Sequence, residues 1–301
     1  MTEEMNLEDK KIDKLTSEFF TASSKADFYD SIFNKLNENF EKESCLVKTH
    51  NKEEYWDLPG FCEFCKEPVL FRVDKLYTLT DRPNFRERMV CSSCSLNSRQ
   101  RALASYVMKL IPSAGTFNIY LQEQITSFAR LFKDKVLSRN SDTKVSGSEF
   151  LGYDKLPGTV HSGIRHENLM GLSFSESLFN LIISNDVLEH VLDINKSLNE
   201  CYRVLGENGV MLITVPFHMG FDKSIQRVRM RNGSMEYLLP QLYHANPVGK
   251  NEGALVIWDF GWDFIDLCHN AGFRNVKMIC CHSVTFGYLG DGLIYFFELK
   301  K

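Results

Sequence analysis

The chain has 301 residues, of which 44% are apolar, so it is long enough to bury one large α/β domain with a small appendage. Its 35 basic and 39 acidic side chains give a formal charge of -4, which excludes a global positive field that would recruit nucleic acid or an anionic membrane. No apolar run approaches the roughly 18 residues of a membrane span, and the start of the chain has no signal-peptide core. We therefore expect a soluble cytoplasmic protein without membrane insertion.

Residues 1–55 are predicted to form a helical segment. They are rich in charged and polar residues, and their apolar side chains recur with interrupted helical spacing from Leu15 to Phe40. Two short amphipathic helices are expected, packed on the main body or on a partner. Their charges indicate a solvated face and no particular function.

Two Cys-x-x-Cys pairs lie in residues 56–96, and they predict a zinc-ribbon-like module. Cys62 with Cys65, and Cys91 with Cys94, can each place two thiolates at adjacent corners of a tetrahedron. Reducing conditions favour thiols over disulfides, and four soft ligands favour zinc or iron. The apolar run over 69–73 suits the hairpin of a zinc ribbon, so zinc is preferred. A redox dithiol and chance spacing are the alternatives.

A closed site of four cysteines would stabilise the module and would not activate substrate. The remaining cysteines are expected to be core or incidental thiols. Four arginines flank the second cysteine pair and keep an RNA-binding role of the module open as the weaker interpretation: Arg86, Arg88, Arg99 and Arg101.

Residues 97–301 alternate helix and strand patterns, which predicts a doubly wound α/β domain. A first helix is expected over 97–111, and a later one from Leu188 to Leu205, ended by glycines. Strands are expected near 116–121, 144–148, 178–183, 210–215, 276–281 and 293–299. Ligands of such sheets bind beyond the carboxyl ends of the parallel strands.

Polar side chains follow two of these predicted strands. Asp186, Glu189 and His190 come after one strand, and His218 comes after the next, so all should lie on one rim of the sheet. The alternative is that Asp186 caps the following helix, while Glu189 and His190 are solvated residues of its first turn.

The stretch around this rim resembles class I S-adenosylmethionine-dependent methyltransferases. The family often reads D-x-L-E-H, then R-V-L-x-x-x-G, and this chain has Asp186-Val187-Leu188-Glu189-His190, then Arg203-Val204-Leu205 and Gly209. The resemblance continues upstream, where the family often reads D-L-x-x-L-P-F-x-x-x-x-F-D. This chain has Asn168-Leu169, Leu172-Ser173-Phe174 and Phe179-Asn180, with asparagine at two aspartate positions. The resemblance implies a Rossmann-like class I methyltransferase sheet with helices on both faces, S-adenosylmethionine as cofactor, and methyl transfer.

The resemblance also implies which residues surround the cofactor. Glu123 matches an acidic residue that orients the methionine end of the cofactor, and Glu149 matches one that accepts hydrogen bonds from both ribose hydroxyls. Asn168 matches an aspartate that contacts adenine, and Asp186 matches a position near the methionine moiety. The usual glycine-rich turn is missing, because residues 122–126 contain no glycine. Glu123 could instead be a helix N-terminal carboxylate and Glu149 a solvated one.

A hydroxyl or amine acceptor must lose a proton, and histidine, with an unperturbed pKa near about 6.5, suits that task. His218 is the first candidate base, followed by His190 and His244; each could also be structural. The aromatic-rich segment 222–262 predicts a wall for a polar acceptor or a packed cap. Its pattern around Tyr243-His244 and Phe260-Gly261-Trp262 resembles bacterial methyltransferases of surface-glycan or secondary-metabolite pathways.

The sequence therefore favours methyl transfer to a small-molecule or glycan acceptor, with oxygen as the preferred atom. Two other hypotheses stay open: an RNA methyltransferase whose zinc module binds substrate, and a methyltransferase-like fold that has lost catalysis and acts as a zinc-dependent scaffold. The missing glycines and substituted aspartates motivate the latter. The oligomeric state is not predicted.

Overall fold

The computed structural model describes residues 17–78, 80–249 and 253–301. Leu15, part of the predicted N-terminal helices, lies outside these residues. The chain folds into two units. Unit 1 consists of the residues up to Phe20, Ile32–Ser105 and Cys280–Ile294, and unit 2 of Thr21–Ser31, Tyr106–Ile279 and Tyr295–Lys301. Both units are thus assembled from separated stretches, and the predicted division at residues 55 and 96 stays a prediction.

Helices occupy both units. They are α1 Lys25–Ser31, α2 Phe33–Thr49, α3 Phe85–Arg88, α4 Ser98–Leu110, α5 Ser127–Arg139, α6 Ile194–Val204 and α7 Phe264–Asn270, with a 3-10 turn over Leu188–His190. The helices α1 and α2 lie in the segment predicted to be helical, although Phe20 of that pattern belongs to a strand, Phe20–Ala22, and α4 confirms the helix predicted over 97–111. Within the described ranges, no helix has both the length and the apolar character needed to cross a bilayer.

The strands fall into one large sheet and several small ones. The large sheet contains β1 Phe20–Ala22, β5 Phe117–Leu121, β6 Thr143–Gly147, β9 Phe179–Asn185, β10 Leu205–Thr214, β17 Asn275–Cys281 and β18 Ile294–Lys300. The small sheets contain β2 Tyr55–Cys62, β3 Glu67–Asp74, β4 Met89–Cys91, β7 Val160–His161, β8 Ile164–Arg165, β11 Ile225–Gln226, β12 Val228–Arg231, β13 Ser234–Tyr237, β14 Tyr243–His244, β15 Ala254–Leu255 and β16 Trp258–Asp259.

The large sheet has the order β1-β17-β18-β10-β9-β5-β6. Its central strands β10, β9, β5 and β6 run parallel, and β18 is antiparallel to β10. Consecutive residues of β9 and β10, over 181–183 and 211–213, are fully buried, as expected of strands covered on both faces. This mixed sheet, flanked by helices, confirms the predicted Rossmann-like sheet.

Unit 1 contains the antiparallel sheet β2-β3-β4, which confirms the hairpin predicted around residues 69–73. The guanidinium of Arg101 lies fully buried in this unit. It donates to the carbonyls of Leu96, Phe286, Met89 and Gly287 at 2.8–3.3 Å. Backbone oxygens therefore satisfy a charge that would otherwise be costly to bury.

The helix after β9 begins later than the sequence predicts. Leu188 belongs to a 3-10 turn, and α6 starts at Ile194, where Asp193 caps it by accepting the backbone N–H of Lys196 at 3.0 Å. Leu205 already belongs to β10. The prediction of a helix from Leu188 to Leu205 was wrong at both ends, and Asp186 is not its cap. Helical spacing of apolar residues cannot tell a helix from a turn that buries the same side chains.

Candidate functional site

A chain of hydrogen bonds joins the carboxyl ends of β5, β9 and β10 in unit 2. The Asn185 amide donates to Glu123 at 3.0 Å, and its oxygen accepts from the Thr214 hydroxyl at 3.0 Å. The backbone N–H of Asp186 donates to that same hydroxyl oxygen, also at 3.0 Å. Two of the predicted cofactor residues, Glu123 and Asp186, thus lie on one rim, as the sheet topology predicts.

Glu123 is 6% exposed and also accepts a hydrogen bond from the hydroxyl of Thr126. Thr126 is the N-cap of α5, since its side chain accepts the Ala129 backbone N–H at 3.0 Å. Glu123 is therefore linked both to the helix start and to the rim, so the two interpretations of this carboxylate are compatible.

Asp186 occupies an unusual backbone conformation, with a φ of 54°. Only a few per cent of non-glycine residues have positive φ, and aspartate tolerates it better than most. The conformation is held because the backbone N–H of Asp186 bonds both the carbonyl and the hydroxyl of Thr214. The turn directs the chain from β9 into the 188–190 segment.

Glu149 follows β6 and is 8% exposed. One of its oxygens accepts the backbone N–H groups of Gln124 at 2.7 Å and Ile125 at 3.0 Å. Its second oxygen accepts no hydrogen bond from any of the described residues. Burial raises the pKa of Glu149, and the two backbone N–H groups oppose that shift.

The loop after β5 reaches Glu149 without a glycine of its own. The glycine that permits this approach is Gly147, at the end of β6, where a Cβ would lie 2.9 Å from the carbonyl oxygen of Glu123. The glycine that allows this close contact therefore belongs to the neighbouring strand β6 and not to the loop itself.

Asn168 lies half-buried in the loop that follows β8. Its side-chain oxygen accepts the backbone N–H of Met170 at 3.0 Å. The adjacent Glu167 is 2% exposed and binds both Arg165 and Ser173. This buried carboxylate, which we did not single out in the sequence, fixes the loop that carries Asn168.

The three candidate bases separate into two places. His218 follows β10, is 48% exposed in its side chain, and lies with Nε2 3.9 Å from Oδ1 of Asp259. The other oxygen of Asp259 accepts from Arg227 at 2.6 Å. The ring of His218 stacks on Phe221 with centroids 4.7 Å apart. A half-exposed imidazole held beside a carboxylate suits proton transfer to a bound acceptor.

His190 and His244 instead lie together, with ring centroids 5.4 Å apart. Both approach Glu189, whose side chain is completely buried: Nδ1 of His244 is 3.3 Å and Nε2 of His190 is 3.7 Å from the same oxygen. The sequence pattern predicts Glu189 and His190 on the rim but does not indicate a pairing with His244.

The four cysteines of unit 1 converge as predicted. Cys62 and Cys91 are at the ends of β2 and β4, and all four sulfurs lie within 4.8 Å of one another. The Cys65 and Cys91 sulfurs are 3.9 Å apart, close to the roughly 3.8 Å between two sulfurs bound to one tetrahedral zinc. None of the nine cysteines of the chain forms a disulfide.

The two knuckles have the same geometry. Lys66 and Ser95, which follow the second cysteine of each pair, have φ values of 67° and 60°. Their backbone N–H groups bond the carbonyls of Cys62 at 2.7 Å and Cys91 at 2.9 Å. Hydrogen bonding among the thiols raises the pKa of Cys62 and lowers that of Cys91. This arrangement could hold a divalent cation.

The arginines near the second knuckle do not form an unpaired basic surface. Arg88 bonds Asp74 at 2.8 Å, Arg99 bonds Glu87 at 2.9 Å, and Arg86 also pairs with Glu87. The fourth, Arg101, is the buried side chain described above. Support for an RNA-binding module is therefore weaker than the sequence indicated.

Comparisons with known proteins agree with this fold. Residues 147–213, which include Glu149, Asn168 and Asp186, match a family model described as a methyltransferase domain. A Mycolicibacterium smegmatis protein named as a probable S-adenosylmethionine-dependent methyltransferase is 34% identical over 59 residues, which are 20% of this chain and 23% of that protein. The chain thus aligns with less than a quarter of that relative's length.

Solved structures give low-identity alignments. An S-adenosylmethionine-dependent methyltransferase from Mesorhizobium loti aligns at 14% identity and a TM-score of 0.39, covering 65% of this chain and 96% of that one. The 1,6-didemethyltoxoflavin-N1-methyltransferase of Burkholderia thailandensis aligns at 13% identity and a TM-score of 0.37, covering 67% and 78%.

Proposed function

We propose that the methyltransferase domain of this chain transfers a methyl group from S-adenosylmethionine to a hydroxyl of a small-molecule or glycan acceptor. The observation that carries the proposal is Glu149. Its carboxylate lies at the end of β6, almost buried, with one oxygen held by two backbone N–H groups and the other available. A carboxylate fixed in this way is suited to accept hydrogen bonds from the ribose hydroxyls of a nucleoside.

Three further residues fit the same ligand. Asn168 would face the adenine, where its amide oxygen has a second lone pair beyond the bond from Met170. Glu123 and Asp186 would lie at the methionine end, along the network through Asn185. Carboxylates on this rim would also attract the positive charge of a sulfonium.

Bound S-adenosylmethionine would supply a methyl group activated by its positive sulfur, and the displacement is governed chiefly by proximity and alignment. The task left to the protein is to orient the acceptor and remove its proton. His218 is the favoured base, because it lies after β10 and is held near Asp259, which would stabilise the protonated imidazole.

The acceptor would bind against the segment 222–262. In unit 2 this segment forms the two-stranded ribbons β11-β16, β12-β13 and β14-β15. Two of its aromatic side chains, Tyr237 and Tyr243, are exposed, and so is Phe221, which directly precedes it. Exposed aromatic rings next to polar groups are suited to polar rings such as sugars.

We also propose that Cys62, Cys65, Cys91 and Cys94 bind a structural zinc ion. Support comes from the 3.9 Å between the Cys65 and Cys91 sulfurs, from the convergence of all four sulfurs within 4.8 Å, and from the paired knuckles. Nine free cysteines suit a reducing, cytoplasmic compartment.

Calorimetric titration of the zinc-replete protein with S-adenosylmethionine and S-adenosylhomocysteine tests the cofactor assignment. We expect saturable binding of one molecule per chain in the micromolar range. A folded protein that binds neither compound would contradict the enzyme proposal and favour the scaffold.

Transfer from methyl-labelled S-adenosylmethionine to a panel of hydroxylated small molecules and glycans, with RNA included for comparison, tests the acceptor and the base. His218→Asn should lower turnover by about 100-fold or more with unchanged cofactor affinity. His161→Asn, at an exposed histidine on β7, is the matched control. Turnover by His218→Asn at the wild-type rate would exclude His218 as the base, and label found only in RNA would exclude the proposed acceptor class.

A further inference from the structure

Glu189 is a carboxylate buried beside two histidines, with no hydrogen bond from the described residues that compensates its burial. It is completely buried, and neither of its oxygens accepts a hydrogen bond from any residue in the described parts of the chain. Burying a carboxylate without compensation costs several kcal/mol, so such groups are paired or bind metal ions. The structure therefore needs a positive group at this point.

Two histidines direct ring nitrogens at this carboxylate. Nδ1 of His244 lies 3.3 Å and Nε2 of His190 3.7 Å from one Glu189 oxygen. Two ligand atoms on one tetrahedral ion at a bond length of about 2.1 Å are separated by about 3.4 Å. The three side chains already have the spacing of ligands around a single ion.

The hydrogen bonding of His190 fixes which of its nitrogens is available. Its Nδ1 lies 2.8 Å from the carbonyl oxygen of Leu255, to which it can only donate. In the neutral ring Nε2 then carries the lone pair, on the side of Glu189. A backbone carbonyl that holds the other ring nitrogen is the usual support of a metal-binding histidine.

The backbone around the three residues is tied together. The hairpin β14-β15 carries His244 and also supplies the Leu255 carbonyl. Next to it, the N–H of Ile257 donates to the Glu189 carbonyl at 2.7 Å, and the indole of Trp258 donates to the Val191 carbonyl at 2.9 Å. These bonds fix the hairpin on the turn that follows β9, so the ligands are positioned before any ion binds.

We propose that Glu189, His190 and His244 form a binding site for a divalent transition-metal ion, separate from the four cysteines. Two imidazoles and one carboxylate suit Zn²⁺, Mn²⁺, Fe²⁺ or Co²⁺, and three protein ligands leave coordination positions open. An acceptor oxygen could occupy an open position, because the turn starts at Asp186 on the cofactor rim. This last step rests on the proposed function, whereas the metal site does not.

Electron paramagnetic resonance with Mn²⁺ as the probe tests the site in the absence of cofactor. The protein is first loaded with one equivalent of zinc per chain, which the four thiolates bind in preference to a site of two imidazoles and a carboxylate, so that this site stays open to Mn²⁺. We expect one Mn²⁺ per chain to lose its free-ion signal on binding. Glu189→Gln, which preserves side-chain shape, and His244→Asn, at a residue 37% exposed in its side chain, should each weaken binding at least tenfold. His161→Asn should bind as the wild type does.

Absence of Mn²⁺ binding by the folded wild type, or unchanged affinity in both variants, would overturn the proposal and leave the cluster as an ion pair. If Glu189→Gln does not fold, the half-exposed His244→Asn decides alone. Cofactor affinity is measured on the same samples. A chain that binds Mn²⁺ but not S-adenosylmethionine would keep the metal site while contradicting the proposed function.

Discussion

Replacing Glu149 with glutamine should weaken S-adenosylmethionine binding without unfolding the protein. The glutamine amide oxygen can still accept the backbone N–H groups of Gln124 and Ile125, so the loop after β5 keeps its anchor. What disappears is the negative charge facing the ribose. Hydrogen bonds to charged groups contribute about 1.5–3 kcal/mol, so the dissociation constant should rise about 10- to 150-fold.

Titration calorimetry measures this change directly, with S-adenosylhomocysteine as a second ligand. Asp142→Asn is the matched control, because Asp142 is an exposed carboxylate immediately before β6, at the opposite end of the strand from Glu149. It should bind as the wild type does. A dissociation constant of Glu149→Gln within twofold of wild type would refute the assignment of Glu149 to the ribose.

In the protein without cofactor, Glu149 should lower the free energy of unfolding by an amount that depends on pH. Because the pKa of Glu149 is raised in the folded state, its stabilising contribution is complete below the unfolded value near about 4.3 and is lost as pH rises through the folded pKa. In urea unfolding, the stability advantage of Glu149→Gln should therefore grow as the pH rises above about 4.3. A stability advantage of Glu149→Gln that shrinks as pH rises would show that the pKa of Glu149 is lowered in the folded protein. Cys91→Ser should abolish zinc retention by elemental analysis and lower the melting temperature, whereas Cys45→Ser, at an exposed thiol, should change neither. Arg101→Lys should cost about 2 kcal/mol or more in chemical denaturation, because a lysine cannot reach all four carbonyls; a loss below about 0.5 kcal/mol would contradict their importance.

Much of the fold could be predicted because the signals are local. The apolar runs that became β9 and β10 are buried on both faces, and such runs are recognisable without knowledge of their neighbours. The cysteine pairs were equally clear, since Cys-x-x-Cys spacing sets the geometry of each knuckle. The start of α6 was misplaced because Leu188 and Val191 satisfy helical spacing, although Leu188 belongs to a 3-10 turn whose C-cap is Val191. The helix begins only after its N-cap Asp193.

The site was predicted in outline but not in its contacts. The rim positions of Glu123, Glu149 and Asp186 follow from sheet topology. The pairing of Glu189 with His244 depends on the β14-β15 hairpin, whose position is set by hydrogen bonds that no sequence pattern encodes. Asn185 was overlooked for a similar reason, since its importance lies in bridging two strand ends that are distant in the chain.

A crystal structure of the zinc-replete protein with S-adenosylhomocysteine would test the central claim most directly. We expect the ribose hydroxyls within hydrogen-bond distance of Glu149, adenine beside Asn168, and the sulfur near Asp186 on the rim of β9. A ligand bound elsewhere, or no ligand on this rim at a saturating concentration, would contradict the assignment.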